Sequence, residues 1–503
     1  MFGKTNIFLL LTVLALIMPY SGFAQPVITE KLQNALKVKG EDDFISVNIR
    51  MTEQYDYDLL MSKSREIQRP EKRRSYVVNA LQQFSSEQQS DLMAHLNDLK
   101  KNGLVRNIRP LWIVNLVNVE IMEGAITSLS VRNDIQRIDY NQDREVLIEG
   151  FEITEESIVN KGDKIQDNEL AWNVPHIYAD QVWDLGFTGE GIVVAVLDSG
   201  INYNHVDIEE NMWEHPDYPE HGYNFYDDTY ETMDYRGHGT HCAGTVAGTG
   251  IAGIGTGVAP GAAIMNLQVI SSTGNSSEAA VWSAMQFGVE YGAHVLSMSL
   301  GWQHQWEPDR SAWRTAMNNV LGAGVIAIVA SGNEGSFGGQ PPPNQVRTPG
   351  DIPPPWTHPD QVQEGGNSAV ISVGATDDSD LLAHFSSKGP VTWQDVEPFN
   401  DYDYEPGSGL IRPDLVAPGA GIVSLLHTNN NGYTSKNGTS MATPAVAGVV
   451  ALMLSKNDGL FPEEISQILE ETVVQITDQK TNTYGSGRVD ALAAIEETPK
   501  LGI

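Results

Sequence analysis

Four short stretches carry residue types that together could hydrolyse an acyl bond. Val196-Leu197-Asp198-Ser199-Gly200 ends an apolar run with a carboxylate, and Arg236-Gly237-His238-Gly239-Thr240-His241-Cys242 brings two imidazoles into an Ala/Gly-rich helical stretch. Asn437-Gly438-Thr439-Ser440-Met441-Ala442-Thr443-Pro444 sets a hydroxyl before an apolar helix, and Ala330-Ser331-Gly332-Asn333-Glu334-Gly335 offers an amide past another apolar run. Singly, each has a plainer reading: an Asp capping a turn, two His at i and i+3 as metal ligands, a Ser as N-cap. Together they meet the needs of nucleophilic catalysis. A serine needs a base, and a histidine can take its proton near neutral pH. The imidazolium that forms needs a buried carboxylate. The oxyanion needs preset donors, here the Ser440 backbone N–H and the Asn333 amide. Gly438 leaves room for a substrate, and the helix N-terminus directs N–H groups at the site.

These groups need a framework. Residues 192–197, 264–270, 294–300, 325–330 and 369–374 are short apolar runs, mostly ending in Gly, Ser or Asn. Helical patterns separate several of them, at 277–291 and 309–321, and a further one follows at 445–454. The pattern predicts an α/β fold, a mostly parallel sheet with helices on both faces. Reactive groups in such sheets collect past the carboxyl ends of the strands.

With the order Asp, His, Ser in these phrases, the chain resembles the subtilisin-like serine proteases over residues 174–492. Gly257-Val258-Ala259-Pro260, Ser297-Met298-Ser299-Leu300-Gly301 and Arg412-Pro413-Asp414-Leu415-Val416-Ala417-Pro418-Gly419 agree with it. The resemblance implies a serine endopeptidase that cleaves polypeptides through an acyl-enzyme on Ser440, with His238 as base, Asp198 as its partner and Asn333 as oxyanion donor. It implies no cofactor in the chemistry, and His241 packed within its helix. Ser299, Leu300 and Gly301 would pair with an extended substrate. Residues 272–276, with Gly274, would form the opposite wall, and Ala330, Ser331 and Gly332 one side of the pocket for the residue before the scissile bond. The resemblance also implies structural calcium at Asp207. The chain departs from the pattern there, because the loop 249–255 offers no Asn or Asp. The acidic stretch 227–234 is either a second cation candidate or a solvated loop. A Pro/Gly-rich insertion at 337–367 leaves the side-chain preference of the pocket undefined, and 390–411 is a second long, acidic insertion.

The N-terminal part has a different pattern. Ile45, Val47, Ile49 and Met51 alternate as in a half-buried strand. Ser85-x-x-Gln88 predicts a capping box that opens a helix of Leu92, Leu96 and Leu99 and stops at Gly103. An apolar stretch at 111–121 predicts two strand pieces around Asn115. Ile126, Leu129 and Ile135 predict a second helix, before a last strand near Ile138. A small α+β sandwich over 41–143 suits this pattern. It is similar to the family's inhibitory propeptide, which implies a folding aid and temporary inhibitor removed by self-cleavage within the linker 144–171. An unrelated accessory domain is the alternative. Lys4, an apolar run at 7–18 and Gly22-Phe23-Ala24 read as a signal peptide over 1–24. The apolar run is shorter than the ~20 residues of a membrane span. The expected product is an extracellular catalytic domain, 172–503, with no membrane partner, and the short tail after 492 suggests no further domain.

The 503 residues hold 31 Lys+Arg against 65 Asp+Glu, a net charge of −34. Residues 1–150 contain 18 basic and 19 acidic groups, leaving 13 and 46 for the rest, so −33 belongs to the catalytic part. Such a field excludes nucleic acid as a partner. It implies self-repulsion that salt relieves, hence an enzyme suited to saline surroundings and to neutral or basic substrates, or else ordinary solubility. The single cysteine, Cys242, excludes an intrachain disulfide and suits a small buried residue better than a reactive thiol. Two other readings stay open: a processing protease of narrow specificity, and a catalytically silent binding protein of the same fold.

Overall fold

The computed structural model describes residues 26–40, 42–147, 169–335, 340–404 and 409–501. The leader expected at 1–24 and most of the expected linker, 148–168, lie outside the described residues.

The apolar runs of the larger part form one seven-stranded sheet. Its strands are β1 (Val193–Asp198), β2 (Gly222–Asn224), β3 (Ala263–Gln268), β4 (Val295–Met298), β5 (Ile326–Ala330), β6 (Val370–Thr376) and β7 (Leu415–Pro418). They stand in the order β7-β6-β5-β4-β1-β3-β2, every neighbouring pair parallel. Both faces are covered, which explains why the strands read as unbroken apolar runs instead of alternating ones. Along β1, Val194 and Val196 pack with helices α1 (His238–Ala247) and α4 (Thr439–Lys456). Ala195 and Leu197 pack on the other face with α2 (Glu278–Glu290) and α3 (Arg310–Gly322). Helix α4 is long and apolar enough to cross a membrane, but 89% of it is buried inside the protein. It is the central core helix. Strand order reverses around β1, so the carboxyl end of β1 opens a crevice between its neighbours.

The smaller N-terminal part is an α+β sandwich. Phe44–Met51 lies between Ile135–Tyr140 and Leu116–Met122, both antiparallel to it, and Val105–Leu111 pairs with Leu116–Met122. Val27–Ile28 joins parallel to Ile135–Tyr140, so the unit reaches back before residue 41. Two local expectations are corrected. The long helix runs over Pro70–Lys101, fifteen residues earlier than the Ser85 motif suggests, and starts with Pro in its first turn, where the missing N–H costs nothing. Ser85 sits mid-helix with its hydroxyl turned back to the Gln82 carbonyl. Ile135 belongs to the strand, not to the second helix, which covers only Glu123–Leu129.

The polar face of this sheet lies on α2 and α3. Arg50 donates to Ser311 and Thr315 and stands 3.7 Å from Asp309, whose other oxygen is 3.8 Å from Arg137. Lys31 lies between Asp139 at 3.2 Å and Glu278 at 4.0 Å. Burial pushes the Glu278 carboxyl up to about 7, although Lys31 opposes the shift. The near-neutral unit thus sets its basic side chains against carboxylates at the start of two catalytic-part helices, where negative charge is favoured.

Candidate active site

Asp198 is the last residue of β1, and its backbone carbonyl accepts N–H groups from Val269 and Ile270 past the end of β3. His238 is the first residue of α1. The two side chains meet at the crevice: His238 Nδ1 lies 2.8 Å from Asp198 Oδ1 and 3.0 Å from Oδ2, with both residues 1% exposed. A carboxylate can only accept, so Nδ1 carries the proton and Nε2 is left as the base. Nε2 is buried and makes no hydrogen bond among the described residues. Gly239 permits this approach, since a Cβ there would lie 2.1 Å from the Gly200 carbonyl oxygen and 3.1 Å from the Asp198 Cβ. Burial, the largest single influence, pushes the imidazole down, but the Asp198 charge and the contact with Cys242 together hold His238 well above the ordinary histidine range.

The sequence reading missed what holds α1 in place. The N-cap Gly237 has no side chain to cap with, and Asp234 does the capping. Its Oδ1 accepts from Gly237 N–H at 2.8 Å, Arg236 N–H at 2.9 Å and Ser199 Oγ at 3.0 Å. Its Oδ2 accepts from Thr240 N–H and Oγ1. Ser199 Oγ in turn accepts the Gly239 N–H. An Asp just ahead of a helical start is a capping signal, hidden here inside an acidic run. That run does not gather as a cation site: Asp234 is spent on α1, while Asp228 faces Arg109 and Tyr223.

Ser440 is the second residue of α4. Pro444 inside the helix has no N–H, so the Ser440 carbonyl lacks its helical donor. It accepts instead from Ser299 Oγ at 2.9 Å and the Cys242 thiol at 3.5 Å, while Ser440 Oγ donates to the Ser299 carbonyl at 3.3 Å. Cys242 Sγ also lies 3.8 Å from His238 Nδ1, so one buried thiol touches both motifs. Burial pushes that thiol up, which keeps it protonated and weakly nucleophilic. Asn333 follows β5, and its Oδ1 accepts from the Thr439 N–H and hydroxyl, both at 3.0 Å. This fixes the amide with Nδ2 as its donor end. Replacing Asn333 by Leu should lower kcat by about 10²–10³-fold with little change in KM, the size known for the corresponding donor in a subtilisin. Steady-state kinetics on a peptide substrate checks this, and an unchanged kcat removes Asn333 from the oxyanion role.

The chain's own residues line the cleft. Arg144–Glu145 pairs antiparallel with Asn275–Ser276, and Leu147 bridges antiparallel to Leu300. Val146 N–H donates to the Gly274 carbonyl, and Gly301 N–H donates to the Val146 carbonyl, each at 3.0 Å. Residues 144–147 are therefore a strand added between the two walls expected from the sequence. Ala330, Ser331 and Gly332 lie alongside, with Gly332 N–H 3.3 Å from Thr439 Oγ1.

The remaining residues lie elsewhere. His241 Nε2–H donates to the Ile422 carbonyl, away from His238, so the two imidazoles do not converge on a metal. Asp207 is buried, with Oδ1 accepting from Ala252 N–H and Oδ2 from Tyr433 Oη, both at 2.6 Å. Protein donors hold both oxygens and the adjoining loop adds no acidic side chain, so these residues do not fit a calcium ion. Tyr433→Phe strands one of those oxygens. It should cost about 1–3 kcal/mol, read as a lower urea midpoint in a Ser440→Ala background; an unchanged midpoint would show the bond to be dispensable.

Residues 189–490 match the model of the Peptidase_S8 subtilase family. The chain belongs to the subtilase family. Members of this family are serine endopeptidases. Among its relatives is serine protease AprX of Bacillus subtilis (strain 168), 32% identical over 337 residues, 60% of this chain and 66% of AprX. Bacillopeptidase F of the same organism is 29% identical over 454 residues, 84% of this chain but 28% of its own. Subtilisin DY of Bacillus licheniformis is 30% identical over 332 residues, 65% of this chain and 99% of that protein. This subtilase therefore spans somewhat under two-thirds of AprX and under a third of bacillopeptidase F, while 65% of the chain covers nearly all of subtilisin DY.

Proposed function

We propose that this subtilase is an exported endopeptidase made as a self-inhibited precursor, which cuts peptide bonds in extended polypeptides through Ser440, His238 and Asp198. Ser440 Oγ attacks the scissile carbonyl while His238 Nε2 takes its proton. Asp198 holds the imidazolium in orientation, and the Asn333 amide with the Ser440 N–H receives the negative oxygen. The proton then passes to the leaving amine, and water repeats the cycle on the acyl-enzyme. Groups of the chain itself and water carry each of these steps.

The observation that carries the proposal is the strand Arg144–Leu147 hydrogen-bonded into the cleft on both edges. A peptide bound as an added strand gains its affinity from backbone hydrogen bonds and its selectivity from pockets, and here the chain's own segment takes that position. The preceding unit would then be propeptide, and self-cleavage would fall within 144–171. The pattern of residues 1–24 supports export.

Purification of the full chain from an exporting host, followed by N-terminal sequencing and casein digestion, tests this reading. We expect a new N-terminus within 144–171 and general degradation of casein. Cleavage of one defined partner without casein degradation would replace the broad reading by that of a processing protease. A full-length, inert product that does not react with a serine-directed fluorophosphonate would leave the silent-fold reading.

A further inference from the structure

Beside the cleft lies a buried ion pair whose basic member comes from the Pro/Gly-rich insertion. Glu334, directly after Asn333, is 7% exposed, and Arg347 is 9% exposed. Arg347 Nη2 lies 2.6 Å and Nε 2.8 Å from Glu334 Oε1, which Gln303 also approaches at 3.0 Å; Ser387 Oγ donates to Oε2 at 3.1 Å. The backbone at Arg347 and Thr348 is stitched to the pocket side and to the residue that follows the 299–301 wall. Arg347 N–H donates to the Ser331 carbonyl, and Thr348 exchanges two backbone hydrogen bonds with Trp302. Gly332, at φ +118°, leaves the space, since a Cβ there would lie 2.6 Å from Glu334 Oε2 and 3.3 Å from Arg347 Cγ.

The remaining end of the guanidinium faces the seated strand. Arg347 Nη1 lies 3.1 Å from the Gly301 carbonyl oxygen, 3.3 Å from that of Leu147 and 3.5 Å from that of Val146. One nitrogen thus joins a cleft wall to two successive peptide carbonyls. A guanidinium has five donors and no acceptor, so it can hold a carboxylate with one edge and carbonyls with the other.

We infer that Arg347 is a substrate-binding and specificity-determining residue of this subtilase: it grips carbonyls of an extended peptide and cancels the charge of Glu334, so that the pocket beside Ala330–Gly332 does not select basic side chains. The inference rests on the proposed function, because the strand 144–147 stands in for substrate. Without Arg347, a buried carboxylate on the pocket wall would attract Lys or Arg before the scissile bond. Without the Glu334 charge, the guanidinium would favour an acidic residue there. The pair keeps the pocket neutral although the residues after 150 carry a net charge of −33.

The test compares processed wild type, Arg347→Ala, Glu334→Gln and the double variant on quenched peptides with Leu, Lys or Glu before the scissile bond. Each peptide is made with four residues or one residue ahead of that bond, and fluorophosphonate titration counts the working sites. For Arg347→Ala we expect the Lys-to-Leu ratio of kcat/KM to rise at least about tenfold, and the advantage of long over short peptides to shrink. Glu334→Gln should raise the Glu-to-Leu ratio. The double variant should lose the Lys preference but keep the reduced length advantage. If Arg347→Ala does not fold, the Glu334→Gln shift decides. Titratable variants whose charge and length ratios match wild type overturn the role of Arg347. A wild type that neither titrates nor cleaves fails at the proposed function instead.

Discussion

A Ser440→Ala chain is expected to stay full length and to lose activity by about a millionfold, the size found when the nucleophile is removed from a subtilisin triad. The reason lies in how α4 begins. Its carbonyl at Ser440 is held by Ser299 and Cys242 because Pro444 cannot donate, so the backbone around the hydroxyl should survive the substitution. What disappears is the atom that forms the acyl bond. Since Arg144–Leu147 already lies in the cleft, the same loss should stop removal of the N-terminal unit. Intact mass and gel mobility of the secreted product, read beside activity, check both parts. If Ser440→Ala is processed normally in a host without secreted proteases, self-cleavage is wrong. If it also digests casein, Ser440 is not the nucleophile.

The next largest effect is expected at Asp198. Asp198→Asn should lower kcat by about 10⁴-fold, the size seen for this change in a serine-protease triad. An amide can donate to Nδ1, which moves the ring proton to Nε2 and removes the base. The pH profile adds a sign. His238 must be neutral to accept a proton, so activity falls as pH drops through its pKa. Burial pulls that pKa down, but Asp198 and Cys242 together hold it above the ordinary range, so the wild-type acid limb should lie above pH ~6.5. Without the carboxylate charge, burial remains as the main influence and the limb should move to lower pH. Measuring kcat/KM from pH 5 to 10 on both proteins tests this. A limb that stays in place would mean another group titrates.

Much of the candidate site was legible in the chain because its parts are local. Asp198, His238, Asn333 and Ser440 each sit at the edge of a regular element, and strand ends and helix starts leave marks in sequence. Other parts left none. Asp234 reads as one more acidic residue in the 227–234 run, because its five donors come from residues 199, 236, 237 and 240. Arg347 sits in an insertion with no regular pattern, and its partners at 146, 147, 301 and 334 are brought to it by three separate chain segments. In the N-terminal unit, the alternation over 45–51 correctly marks the apolar face of the strand. It is silent on the other face, where Asn48 and Arg50 are buried as well.

The sequence by itself determined the subtilase fold, the buried parallel sheet and the residue types at its crevice, because unbroken apolar strands and catalytic motifs are encoded within a few residues. It also located the charge: −33 of −34 lies after residue 150. Only the tertiary structure decided how that charge is met. Arg50, Arg137 and Lys31 lie against Asp309 and Glu278, Arg347 pairs with Glu334 beside the cleft, and residues 144–147 lie as a strand against residues 275–276 and 300. These pairings join residues far apart in the chain. Periodicity tells which face of an element is apolar, but it carries no information about which distant surface a polar face will meet. That depends on matching shape and charge, which exists only once both surfaces have folded.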